Sequence, residues 1–286
     1  MSQYQIITDS ACDLTQAMLQ ERNVITIPLT VNFRGQERTD SVEDADVMEL
    51  YDAMRGGEVA TTSAVNPDRW ASVIEPVLAA GQDVFVLAFS SGLSTTYQSA
   101  VIAANELKER YPDRSIRVVD SRAAALGQGL LLHYVCKKRD EGLSLDELAT
   151  WTESARDRLG HWFTVDDLVY LKRGGRVSAA TAVLGAMLNI KPVLHVDNDG
   201  HLISMEKARG RKAAIAALAT MPGLLGGQDS TFFICHADCL SDAENLAAQL
   251  KENYGAEDIF IGNLGAVIGS HSDPGTLAVF FLGDQK

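Results

Sequence analysis

Short apolar runs alternate with amphipathic stretches along the first half of the chain. Residues 4–8, 83–88 (DVFVLA) and 115–120 read as strands, and residues 24–33 contain another. Unbroken apolar runs of this length suit parallel strands buried on both faces. Between them, residues 14–21, 44–54, 67–79, 94–110 and 123–141 carry helical spacing, as in Val47, Leu50, Tyr51 and Met54. Asn66 and Pro67 supply a cap and a first-turn proline, and Gly142 ends the last of these helices. This β-α-β-α rhythm predicts a doubly wound parallel sheet with right-handed crossovers.

The second half has a different rhythm. A helix is expected over 145–159 behind Ser144, a strand over 162–165 and a helix over 178–188. Strands over 190–196 and 201–208 are joined through Asn198-Asp199-Gly200, a hairpin-type turn. A helix over 212–220, a strand over 231–236, a helix over 241–254 and strands over 258–264 and 276–282 complete the chain. A hairpin among βα units predicts a mixed sheet. The expectation is an α/β protein of two domains, residues 1–158 and 159–286, which 286 residues can accommodate.

Composition narrows the function classes. The chain is 46% hydrophobic and 22% charged, an ordinary globular balance. Its formal net charge of −13 argues against nucleic acid and against electrostatic docking on anionic lipid. No window approaches the ~18 apolar residues of a membrane span. The polar N-terminus leads directly into a strand, so no targeting segment is expected. Four scattered cysteines predict a reduced, cytoplasmic protein. Cys235-His236-Ala237-Asp238-Cys239 lacks a second ligand pair, and Cys235 falls on a core strand, so no metal is expected.

Candidate chemistry concentrates in loops. His271-Ser272-Asp273-Pro274-Gly275-Thr276 places an imidazole on a tight turn before the last strand. Thr61-Thr62-Ser63 and the stretch from Ser90 to Thr96 supply hydroxyls, and none of these three loops carries a cation. That set suits one oxyacid head group better than a polyphosphate. Asp9-Ser10 and Ser90-Ser91 end strands, where ligands of open α/β sheets collect. Ser94 opens a helix, whose free N–H groups can hold an anion, although a helix cap explains the same residue. Thr39-Asp40 reads as plain loop. Lys172-Arg173-Gly174-Gly175-Arg176 is the dense basic cluster, open to three readings: a phosphate nest, a docking patch for an acidic partner or a solvated turn. It lacks the order of a nucleotide P-loop. Ser94, His271 and Asp9 could form a Ser-His-Asp relay acting on acyl esters. Against that, Gly92-Leu93-Ser94-Thr95-Thr96 has only the first glycine of a nucleophile elbow.

Taken together, the chain resembles the DegV family. The matching pieces are ITDSACDL at 7–14, TTSAVNP at 61–67, SSGLSTTYQSA at 90–100, DDLVYLKRGGRVS at 166–178, LNIKPVL at 188–194 and IGSHSDPGTLAVFFLG at 268–283. The resemblance implies two α/β domains with a long-chain fatty acid in a tunnel between them. It implies carboxylate contacts at Thr62 and Ser94, joined by Thr61, Thr95 and the nearby His271. It further implies a carrier without catalytic residues or a cofactor, which presents the carboxylate to the ATP-using catalytic subunit of a fatty acid kinase. The basic segment, with Lys172, Arg173 and Arg176, would meet that kinase. Two positions depart from the family pattern. Thr95 stands where a glycine is usual, and Asp273 replaces the first glycine of H-x-G-P-G. Asp273 would bring a negative charge close to His271, which would either raise the imidazole pKa or repel an acyl phosphate product.

Overall fold

The structure, a computed structural model, describes residues 4–177, 189–227 and 231–286. The helix expected over 178–188 therefore lies outside the described residues. The first half contains β1 (Tyr4–Asp9), β2 (Val24–Ile27), β3 (Thr30–Phe33), β4 (Gln36–Thr39), β5 (Thr61–Ser63), β6 (Asp83–Ala88) and β7 (Ile116–Asp120). β2-β1-β6-β7 form an all-parallel sheet in that order. The chain leaves β1 toward β2 and later returns to the other side at β6. The strand order therefore reverses between β1 and β6, where ligands of doubly wound sheets bind.

The parallel sheet matches the apolar pattern. Val84, Phe85, Val86, Leu87 and Ala88 are fully buried, as an unbroken apolar run with helices on both faces requires. The helix Pro67–Ala79 starts where expected, with Asn66 Oδ1 accepting from Arg69 N. At Ser144 a reciprocal capping box with Glu147 opens the helix Leu145–Arg156. β3, β4 and β5 form a small antiparallel sheet in the order β4-β3-β5 that the hydrophobic pattern does not predict. It is short and polar: Gln36–Thr39 is largely exposed, and Thr61–Ser63 is three residues long. Thr39 and Thr61–Ser63 are thus strand residues rather than loop.

The second half contains β8 (Leu159–Thr164), β9 (Ile190–Val196), β10 (Leu202–Arg209), β11 (Thr231–His236), β12 (Asp258–Asn263) and β13 (Leu277–Leu282). They form one mixed sheet ordered β10-β9-β8-β13-β11-β12, with β11 and β12 parallel and the other pairs antiparallel. β13 sits in its interior and is buried on both faces. Leu277, Val279 and Phe281 face one core with the helices Arg211–Leu224 and Leu240–Tyr254, while Ala278 and Phe280 face the first half.

The helix Ala125–Asp140 packs between the halves, against β8, β11, β13 and the 3-10 turn Ser10–Cys12. A second junction is the β9–β10 hairpin tip. Ser90 Oγ donates to Gly200 O at 2.9 Å. Gly200 has φ +82°, and a Cβ there would lie 2.2 Å from Ser90 Oγ, so only glycine fits this contact.

Candidate functional site

A cavity of about 460 Å³ lies between the two sheets, within the ~300–1,000 Å³ of small-molecule sites. The first half contributes Leu29, Thr62 and the segment after β6, including Phe89 and Ser94. The second half contributes Phe163, Ala278 and Phe280 from the sheet, and Ile268, His271 and Thr276 from the segment before β13. One end is polar and the remainder is mostly aliphatic and aromatic.

At the polar end, Thr62 Oγ1 and His271 Nε2 are 2.7 Å apart. Alternation along β5 sends Thr62 inward and leaves Thr61 exposed, outside the lining. Burial, and next the Arg176 cation, push the His271 pKa down to about 4, so the ring is neutral at physiological pH. Gly174 packs against it, so closely that a Cβ would lie 2.3 Å from Nδ1. Ser94 and Thr95 both line the cavity. Ser94 Oγ accepts from Thr96 N at 3.2 Å and lies 2.9 Å from Thr96 Oγ1. It thus performs the capping role in the turn before the helix Thr96–Arg110, with Thr95 at the N-cap position making no side-chain cap bond.

Arg176 changes the electrostatic picture. The loops with hydroxyls and His271 carry no cation, but Arg176 arrives from the basic segment and lines the same cavity. Its Nε donates to Leu93 O at 3.1 Å, and its Nη1 donates to Gly174 O. Half-burial lowers its pKa without discharging it at neutral pH. Lys172 and Arg173 behave differently. Both are exposed, and the Arg173 guanidinium lies over the Tyr170 ring at 5.3 Å.

The Ser-His-Asp relay is not assembled among the described residues. His271 bonds Thr62, and Asp9 is fully buried elsewhere. The Asp9 carboxylate accepts from Phe89 N at 2.7 Å, Ala11 N at 3.1 Å and Gln128 Nε2 at 3.2 Å. Asp9 therefore ties β1 to the segment after β6 and does not reach the cavity. Ser90 is also turned away, toward Gly200.

Asp273 does not raise the His271 pKa. Its carboxylate accepts from Asp167 N at 2.6 Å and Thr276 Oγ1 at 2.9 Å. Burial pushes its own pKa up to about 7, and the imidazole shifts downward.

Two carboxylates passed over by the sequence reading position this end. Asp40 Oδ1 accepts from Val267 N at 2.8 Å, and its Oδ2 accepts from Ser10 Oγ at 2.6 Å. Asp13 Oδ2 accepts from Gly265 N at 2.9 Å. Together they hold the first turn of the short helix Ala266–Gly269, which leads to His271. Nothing about an isolated Thr39-Asp40 signals this, because its partner is 227 residues away. Cys235 is fully buried and lines the cavity, and no metal-binding group of three or more His, Cys, Asp or Glu exists among the described residues.

The fold and the cavity define an α/β protein of two large sheets and one small one, with an interior cavity lined by residues of both halves. The family model described as "Uncharacterised protein, DegV family" matches residues 3–284, and the chain belongs to that family. A DegV domain-containing protein of Clostridium perfringens is 43% identical, covering 100% of this chain and 99% of the relative. A solved DegV family protein from Thermus thermophilus, described for its fatty acid binding, is 32% identical with a TM-score of 0.88, covering 98% of this chain and 99% of that one. DegV of Bacillus subtilis, described as a fatty acid binding protein, is 27% identical with a TM-score of 0.84 and the same coverage. Among the described residues no helix is long and apolar enough to cross a membrane.

Proposed function

We propose that the protein binds a long-chain fatty acid in this cavity and presents its carboxylate to a fatty acid kinase subunit, performing no chemistry itself. The observation that carries the reading is the two-sided construction of the cavity: an apolar interior closed at one end by Thr62, Ser94 and His271, with Arg176 beside them. Each buried methylene contributes about 0.8 kcal/mol, so a chain of ~16 carbons offers on the order of 12 kcal/mol before ordering costs. Affinity then comes from the tail. The head group needs directed donors: the hydroxyls of Thr62, Ser94 and Thr95 supply these, and neutral His271 completes the end wall. Arg176 adds one positive charge that favours the ionised carboxylate.

The kinase part of the reading rests on the likeness of the KRGGR segment to the family's docking region. Exposed Lys172 and Arg173 are the docking contacts in this scheme, and Arg176 links the docking segment to the head group. We place the domain boundary at residue 158, just ahead of β8, and the protein in the cytoplasm. The direct test is mass spectrometry of the organic extract from denatured, purified protein, followed by titration with palmitate and oleate. Extracts free of fatty acid, with no binding of either added acid, would overturn the proposal.

A further inference from the structure

We infer that the joint between the two halves carries a proton on Asp13 Oδ1 while it is docked, so that rising pH loosens the joint and with it one wall of the cavity.

Asp13 follows the 3-10 turn Ser10–Cys12 with a left-handed backbone, φ 53°, which Asp tolerates. From there its side chain meets the second half. Oδ2 accepts from Gly265 N at 2.9 Å. Oδ1 is buried and has no hydrogen-bond partner among the described residues. Gly265 packs directly against it, since a Cβ on that glycine would lie 2.3 Å from Oδ1. The whole residue is 2% exposed.

A sealed oxygen without a donor decides the protonation state. An ionised carboxylate would leave charge on Oδ1 with neither water nor an N–H to hold it. A proton on Oδ1 removes that charge and leaves Oδ2 to accept from Gly265 N, so the neutral acid fits the one bond that is made. The surroundings supply no countercharge. Among the described residues no Lys, Arg or His pairs with Asp13, Asp9 or Asp40. The groups acting on Asp13 from its own side are the Asp9 and Asp40 carboxylates and the Cys12 thiol. Tyr51 acts on it from the helix Asp44–Arg55, and Cys235 from β11. Tyr51 Oη already donates to Leu264 O at 2.7 Å. Exposed Glu43 and Asp44 line the pocket beside Asp13. All of these groups are acidic or neutral. Burial, and next the Asp40 charge, push the Asp13 pKa well above its ordinary value, although the Gly265 N–H favours the ionised form.

Opening the joint withdraws Gly265 and admits water to Oδ1. Asp13 then ionises like an ordinary aspartate, with a pKa near 3.8. Docking therefore takes up a proton. Below about pH 4 both forms hold it and the joint is at full strength. As pH rises toward the docked pKa, each pH unit costs about tenfold in the docking equilibrium. Leu264, Val267 and Ile268, on either side of Gly265 in the chain, line the cavity, so the same titration loosens its wall.

Amide hydrogen exchange of the full chain without ligand tests this at Gly265, after correction for the intrinsic pH dependence of exchange. Protection of the Gly265 N–H should fall about tenfold per pH unit between about pH 6 and 8, above the pKa of about 6 at Asp40. Asp13→Asn is an uncharged isostere of the protonated acid. It should match the unmodified protein at about pH 5 and hold its protection nearly constant from about pH 6 to 8. The infrared difference spectrum of the unmodified protein minus Asp13→Asn at neutral pH should contain the carbonyl band of a protonated carboxyl. Protection at Gly265 that ignores pH in the unmodified protein would overturn the inference without any variant. So would an Asp13→Asn profile parallel to that of the unmodified protein, or a difference spectrum lacking the band. None of these outcomes bears on fatty-acid binding, which stands or falls by its own titration.

Discussion

Gly174→Ala gives a sharp test of how the basic segment and the head-group end are joined. Gly174 has φ −73° and ψ −8°, an ordinary right-handed conformation that alanine adopts without strain. At such positions Gly→Ala usually stabilises by about 0.4–1 kcal/mol. Here the added Cβ would lie 2.3 Å from His271 Nδ1, where ordinary contact begins near 3.4 Å. Ring or backbone must yield by about 1 Å. The Cβ meets the ring head-on at Nδ1, so a retreat of that size drives Nε2 against Thr62 Oγ1 and the 2.7 Å Thr62–His271 contact cannot keep its geometry. The loss of one such bond, with some overpacking, is about 1–2 kcal/mol, or roughly tenfold in affinity. Neighbouring Gly175 is the control: its φ is +73° and nothing lies within 4 Å of a Cβ placed there. Gly175→Ala should lower thermal stability through backbone strain and leave affinity unchanged. Palmitate titration and thermal melts on both variants separate the two effects. If Gly174→Ala binds palmitate within twofold of the unmodified protein and melts higher, the head-group end is not braced by this glycine and the reasoning fails.

Three further outcomes are expected. Thr62→Val keeps the shape of the site but removes the hydroxyl bonded to His271, and palmitate affinity measured by fluorescence displacement should fall about fivefold. Arg176→Ala should weaken palmitate binding about tenfold, whereas Arg173→Ala should leave binding unchanged and lower turnover in a reconstituted kinase assay; equal effects of both on binding would refute the separation. Asp273 has a folded pKa near 7, above its ordinary 3.8, so its contribution to stability is complete below about pH 4 and is lost as pH rises to about 7. Asp273→Asn does not titrate, so its melting temperature relative to the unmodified protein should climb between pH 4 and 7, by the equivalent of a few kcal/mol at most; a pH-independent difference would contradict the burial argument.

Sequence pattern reveals elements whose cause is local. The strands Asp83–Ala88 and Thr231–His236 follow from apolar runs, and the helix Pro67–Ala79 from its cap and first-turn proline. Both features act within a few residues of the element they define. The β4-β3-β5 sheet is invisible because Gln36–Thr39 has no buried face to write a hydrophobic pattern. At the site, the hydroxyls and His271 stand out as residue types, but their grouping depends on tertiary approach. Arg176 is the clearest case. Its charge and position in a basic run suggest a surface patch, and only the contact with Leu93 O, 83 residues away, brings it to the cavity. Thr61 is the reverse: it shares a motif with Thr62 but alternates onto the outer face of β5.

The end proposed to hold the head group is assembled from four segments distant in sequence, and in that reading affinity depends on the docking of the two halves. Thr62 hangs on a three-residue edge strand that isolated pairing cannot hold. His271 follows a four-residue helix whose first turn is held by Asp13 and Asp40 from the other half. Burial pushes the Asp40 pKa up to about 6, although Ser10 Oγ and backbone N–H groups favour its ionised form. The carboxylates therefore cost desolvation that is recovered only while the segment after β12 remains docked. A substitution at Asp40 acts on His271 without touching a ligand. Its expected signature is a weaker carboxylate grip with the apolar cavity intact, so that a fatty alcohol of the same chain length loses less affinity than the acid.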